Sequence, residues 1–135
     1  PLLDLPVEKA KDVTIEDMAK FLFEEGVADD SISNLTKVVG ELSRIASWYD
    51  GKPNPSESET IAYLAVPLLR ALGWTPQKMA IEWNRLDLAL FRTLPRQNNN
   101  LAVVVEAKKK GRSCLSAFWQ AKEYAEHEAR EGCRK

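Results

Sequence analysis

Three residues in the second half of the chain combine side-chain types that could handle a phosphate ester: Asp87, Glu106 and Lys108. Glu106 and Lys108 close the run Leu101-Ala102-Val103-Val104-Val105-Glu106-Ala107-Lys108. Side chains alternate across a strand, so Glu106 and Lys108 point one way and Ala107 the other. Asp87 stands second in another apolar run, Leu86-Asp87-Leu88-Ala89-Leu90-Phe91. A carboxylate buried without a partner is costly. Two carboxylates and a lysine meeting at one sheet rim share a remedy in a hard divalent cation. Magnesium takes oxygen ligands and keeps several waters for substrate phosphate. Asp87 and Glu106 would supply two oxygens, and the Ala107 carbonyl a third. Lys108 would lie beside the attacking water, orient it, lower its pKa and neutralise charge building on the phosphorus.

Positioning these groups requires a sheet. Strands are predicted over Met79 to Trp83, Leu86 to Arg92 and Leu101 to Ala107. The third is apolar on both faces and therefore reads as central. The polar run Arg96-Gln97-Asn98-Asn99-Asn100 predicts an antiparallel hairpin between the last two. Ahead of the strands, Ser56 opens a long helix whose inward stripe is Ile61, Leu64, Ala65, Leu68 and Leu72. Pro67 must bend that helix or find a tolerated place in it. Gly73 fits the C′ position, and Trp74 reads as core. Ser113 caps a final helix that runs to about Glu131 and ends at Gly132. The order is α-β-β-β-α, an α/β fold.

Glu57 and Glu59 both open the first of these helices, where acids also favour the helix dipole. Glu57 lies four residues before Ile61 and seven before Leu64, so it shares the inward stripe, whereas Glu59 points elsewhere. Glu57 is therefore preferred as an outer ligand acting through water.

Two prolines and a glycine in Asp50-Gly51-Lys52-Pro53-Asn54-Pro55 mark a loop that separates this core, residues 51–135, from a helical N-terminal extension, residues 1–50. In the extension, Thr14 with Asp17 resembles a capping box. Ile15, Met18, Ala19 and Leu22 form one stripe, and Gly26 ends it. A second helix is predicted from Ser33 or Asn34, with Leu35, Val38, Val39, Leu42, Ile45, Ala46 and Tyr49 on one face. Nothing in this hairpin looks chemical. It is expected to pack on the rest of the chain or on a neighbour.

Composition bounds the reading. At 135 residues, 44% hydrophobic and 29% charged, the chain is about one domain long and can bury a core without staples. Nineteen basic against 20 acidic residues give a net charge of −1, which does not announce a nucleic-acid binder. It excludes none either, since binding depends on where charge sits. Cys114 and Cys133 would lie roughly 28 Å apart on the last helix, too far to bridge. A reducing cytoplasm is the expected compartment. A single histidine, His127, and two distant cysteines argue against a zinc site or a Cys-His nucleophile pair. No apolar run approaches the ~18 residues of a membrane span. The chain starts at Pro1 without Met, which reads as either a fragment of a larger protein or only its ordered part.

The motifs together resemble the PD-(D/E)XK nuclease superfamily, most closely the nuclease domains of type I restriction enzyme R subunits. The resemblance rests on five elements in order. They are Glu57-Ser58-Glu59-Thr60, Pro67-Leu68-Leu69-Arg70-Ala71-Leu72-Gly73-Trp74, Arg85-Leu86-Asp87-Leu88-Ala89-Leu90-Phe91, Val105-Glu106-Ala107-Lys108-Lys109 and Gln120-Ala121-Lys122-Glu123-Tyr124-Ala125. The last is similar to the Gln-x-x-x-Tyr signature of RecB-like nucleases. The resemblance spans about Ser56 to Glu131. Leu86 stands where the family name has proline, and the family adds a strand after the last helix, so the core is expected to be truncated. What the resemblance implies is a restriction-endonuclease-like fold and Mg²⁺-dependent hydrolysis of DNA, with Mn²⁺ as substitute. Glu57, Asp87, Glu106, Lys108 and Gln120 would be catalytic, and Asp87, Glu106 and the Ala107 carbonyl would be metal ligands. The basic run after Lys108, with Lys109, Lys110 and Arg112, would meet DNA phosphates. Other subunits of a restriction complex are expected partners. The alternative is a nuclease-like module that has lost cutting and serves in binding or assembly.

Overall fold

The computed structural model describes residues 13–50 and 52–108, together with Glu123 and Glu126, both helical. Among the described residues the chain forms helices first and then a three-stranded antiparallel sheet. The predicted helix from Ser113 to Glu131, with Gln120, Lys109, Lys110, Arg112, both cysteines and His127, lies outside the described residues apart from those two positions.

Helix α1 spans Ile15–Glu24, and its capping box forms as expected: Thr14 Oγ1 accepts from the Asp17 N–H at 3.1 Å, and Asp17 accepts from the Thr14 N–H. It ends at Gly26, whose φ of 86° costs a glycine little. Helix α2 spans Asp29–Trp48, starting earlier than Ser33 or Asn34. Asp29 and Asp30 supply the negative charge a first turn favours, and the earlier start lets Ile32 bury its side chain. The predicted stripe from Leu35 to Tyr49 is half-buried throughout. Helix α2 packs on α1 and on the helix that follows.

That following helix departs from the sequence pattern in an instructive way. It runs as α3 (Glu57–Thr60), a π-helical turn (Ile61–Ala65) and α4 (Val66–Ala71). The Val66 N–H donates to the Ile61 carbonyl, five residues back. This single wide turn sits just before Pro67 and relieves the clash its ring would make in an α-register. It also shifts the phase of the helix face by one residue. The residues that reach the sheet are Ile61, Ala65, Val66 and Leu69, while Leu68 and Leu72 of the expected stripe are exposed. The helix closes with paired bonds from the Gly73 N–H to the Arg70 carbonyl and from the Trp74 N–H to the Leu69 carbonyl. Gly73 has φ 104°, and a Cβ there would meet nothing within 4 Å. Gly73→Ala is therefore expected to cost about 1 kcal/mol through backbone strain alone, read as a lower denaturant midpoint at unchanged slope.

The strands are β1 (Met79–Trp83), β2 (Leu86–Phe91) and β3 (Leu101–Val105), in the order β1-β2-β3 with both pairings antiparallel. The expected hairpin between the last two strands is present. Among the described residues the middle strand is β2. Leu88, Ala89 and Phe91 are fully buried, whereas β3 is an edge among the described residues, with Ala102 and Val103 exposed. Met79, Leu88, Leu90 and Ala107 pack with Ile61 on the helix side, and Trp74 joins them as expected. Ala80, Leu86, Ala89 and Phe91 form a second cluster with Trp83, Leu101 and Val104. Arg96 donates to the Pro76 and Gln77 carbonyls and ties the β2–β3 loop to the turn before β1.

Candidate metal centre

Three elements deliver one carboxylate each. Glu57 comes from the first turn of α3, Asp87 from the second position of β2, and Glu106 from the residue after β3. An oxygen from each lies within 4.8 Å of the others. Lys108 joins them, with Nζ 3.9 Å from Glu106 Oε1. The chain leaves the ladder at Val105, two residues before the expected end, yet Glu106 and Lys108 still sit together. Ala107 between them is buried in the core. Its N–H donates to Asp87 Oδ2 at 2.9 Å, so the two strands also meet through the site itself.

Sequence alternation could not locate the irregularity opposite Asp87. The β1–β2 ladder pairs Ile81 with Leu88 and Trp83 with Leu86, and skips Glu82. Glu82 has φ 58° and Asn84 φ 54°. A left-handed glutamate costs roughly 1–2 kcal/mol, held in place by the pairs on either side. No periodicity signal marks such a residue.

Glu57 and Glu59 part company for a local reason. Ser56 Oγ accepts from the Glu59 N–H at 3.0 Å, and Glu59 Oε1 accepts from the Ser56 N–H at 3.1 Å. Glu59 also accepts from the Tyr49 hydroxyl at 3.2 Å. The Ser56 donors hold its pKa below the usual carboxylate range. The spacing Ser56-x-x-Glu59 is a capping box, and that signal already accounts for Glu59. Glu57 is left to face Asp87 and Glu106.

The electrostatics concentrate on Glu106. Its side chain keeps only 6% of its surface exposed. Burial, then the charge of Asp87, push its pKa up to about 7, against a smaller downward pull from Lys108. Below about pH 7 the metal-free fold thus favours a protonated Glu106, hydrogen-bonded to Asp87. A raised folded-state pKa contributes stability that is full below about 4.5 and lost as pH rises through about 7.

The donor set fits a hard divalent cation. It is all oxygen, three carboxylates converge, and a cation would relieve the repulsion that raises Glu106. Metal-free protein is therefore expected to melt at lower temperature as pH rises from 5 to 8. Added Mg²⁺ is expected to raise the melting temperature more at pH 8 than at pH 6, because it must displace the proton. Glu106→Gln mimics the protonated acid and should flatten both effects. Equal stabilisation of wild type and Glu106→Gln by Mg²⁺ would put the cation elsewhere.

A recess of about 540 Å³ lies away from this cluster, between α2 and the α3–π–α4 helix. Its lining is apolar, which suits it poorly for metal chemistry. Comparison with protein-family models, curated proteins and solved structures gives no match.

Proposed function

We propose that the chain hydrolyses DNA phosphodiester bonds at the Glu57–Asp87–Glu106 cluster with Mg²⁺, or Mn²⁺ in its place, in a restriction-endonuclease-like core. The observation that carries this reading is the convergence of three carboxylates from three separate elements, with a lysine 3.9 Å from one of them. A surface salt bridge needs one acid and one base. Three acids gathered around one point, one of them largely buried, repel one another unless a proton or a cation sits among them, and a divalent cation would relieve all three at once.

Asp87 and Glu106 would hold the ion directly, with the Ala107 carbonyl as a further oxygen and Glu57, the most exposed of the three acids, acting through water. When bound, the ion supplies Lewis-acid polarisation of the phosphate and a more acidic water. Asp87 is oriented for this by the Ala107 N–H. Lys108 orients the attacking water and offsets charge that develops on the phosphoryl oxygens. Gln120, near the site, and the basic positions Lys109, Lys110 and Arg112, toward DNA phosphates, complete the proposal from the motif resemblance. A restriction complex with further subunits, in the cytoplasm, is the setting that resemblance favours. Among the described residues no helix is long and apolar enough to cross a membrane. Nicking of supercoiled plasmid that requires Mg²⁺ and stops with EDTA tests the activity.

A further inference from the structure

The recess between α2 and the α3–π–α4 helix is lined by Arg44, Ile45, Trp48, Tyr49, Tyr63 and Pro67. A second recess continues it along α2 past Val38, Leu42 and Arg70, sharing Ile45, Tyr63 and Pro67. The groove follows α2 from Asn34 to Tyr49, roughly 22 Å at about 1.5 Å per residue. That is room for about six stacked nucleotides at roughly 3.4 Å each.

Two features separate this groove from an ordinary apolar seam. Its large rings are not buried: Trp48 is 60% exposed and Tyr63 51%. Its flanks are mainly cationic. Arg44 and Arg70 line it, and Lys52 holds its ammonium 4.8 Å from the Trp48 ring centroid, against one lining acid, Glu41. The exposed Tyr63 ring, and the Trp48 ring with the Lys52 ammonium over it, lie beside the lining arginines and match the chemistry of an unpaired strand, whose bases stack and whose phosphates need positive charge. A duplex offers no base faces to such rings.

From these observations we infer that the α2 groove binds single-stranded nucleic acid, holding an unpaired strand along α2. This rests on the nuclease reading for its purpose and not for its test. The probe is a fluorescent oligo(dT) about 12 nucleotides long, within the range of known single-strand sites. Anisotropy is read in EDTA with Asp87→Asn protein, so that nothing is cut. A duplex of equal length is the comparator. Trp48→Ala and Tyr63→Ala together should weaken oligo(dT) binding by about tenfold or more. Tyr63→Phe, which keeps the ring, should bind like its parent, and duplex affinity should not change. Circular dichroism and melting confirm that each variant folds.

No measurable oligo(dT) binding, or parental affinity in the double variant, would overturn the inference and leave the groove to an apolar protein segment. Equal loss in Tyr63→Phe and Tyr63→Ala, or equal loss for duplex, would overturn it as well. Cutting by Asp87→Asn at the wild-type rate would defeat the nuclease reading while leaving the binding result standing.

Discussion

Asp87→Asn is expected to slow DNA cleavage at least about a thousandfold while the protein stays folded. A cation at a reacting phosphate contributes several kcal/mol, and each ~1.4 kcal/mol is a factor of ten in rate. Asparagine keeps the volume of aspartate but not the charge that holds the ion. Its Oδ1 can still accept the Ala107 N–H, so the contact between β2 and the segment after β3 survives. Removing one of three crowded acids should leave the metal-free melting temperature the same or raise it. Single-turnover cleavage and thermal melting on one preparation separate these effects. A variant that melts normally and cuts like the parent would remove Asp87 from the mechanism.

Lys108→Ala should separate chemistry from binding, with cleavage about 100- to 1,000-fold slower. In the proposed mechanism the ammonium would act on the attacking water and on developing charge, both of which matter most in the transition state. Two effects on the cluster must be kept apart. Lys108 pulls the Glu106 pKa down, so its loss raises that pKa and makes the proton harder to displace at neutral pH. Once Glu106 is ionised, losing a nearby positive charge favours a bound cation. The comparison therefore belongs well above the Glu106 pKa of about 7. There the variant should bind Mg²⁺ at least as well as wild type and DNA almost as well, since one lysine is a small share of many phosphate contacts. If DNA affinity collapses while the saturated single-turnover rate is unchanged, Lys108 is a phosphate anchor.

Much of this architecture could be read from residue spacing because the signals were local. The Thr14–Asp17 box, the α2 stripe from Leu35 to Tyr49, the closing role of Gly73 and the three strands each depend on a few adjacent residues. What spacing hid was cumulative or long-range. The π-turn ahead of Pro67 adds one residue to a turn and re-aims every later side chain, so Leu68 and Leu72 were read as inward when Val66 and Leu69 are. Strand order depends on pairing between distant segments, and among the described residues β2 lies between β1 and β3. At the site, the motif and the inward stripe singled out Glu57, Asp87, Glu106 and Lys108, which the fold brings together. The Ala107 N–H to Asp87 and the left-handed Glu82 belong to tertiary structure and carry no pattern in the sequence.

The central claim is that one divalent cation binds among Glu57, Asp87 and Glu106. Mn²⁺ titrated into the protein at pH 8 and followed by electron paramagnetic resonance tests it without reference to any substrate. The account predicts one ion bound per wild-type chain, displaced by Mg²⁺, and binding lost in both Asp87→Asn and Glu106→Gln. Undiminished Mn²⁺ binding in those two variants, or no saturable binding by wild type, would contradict it.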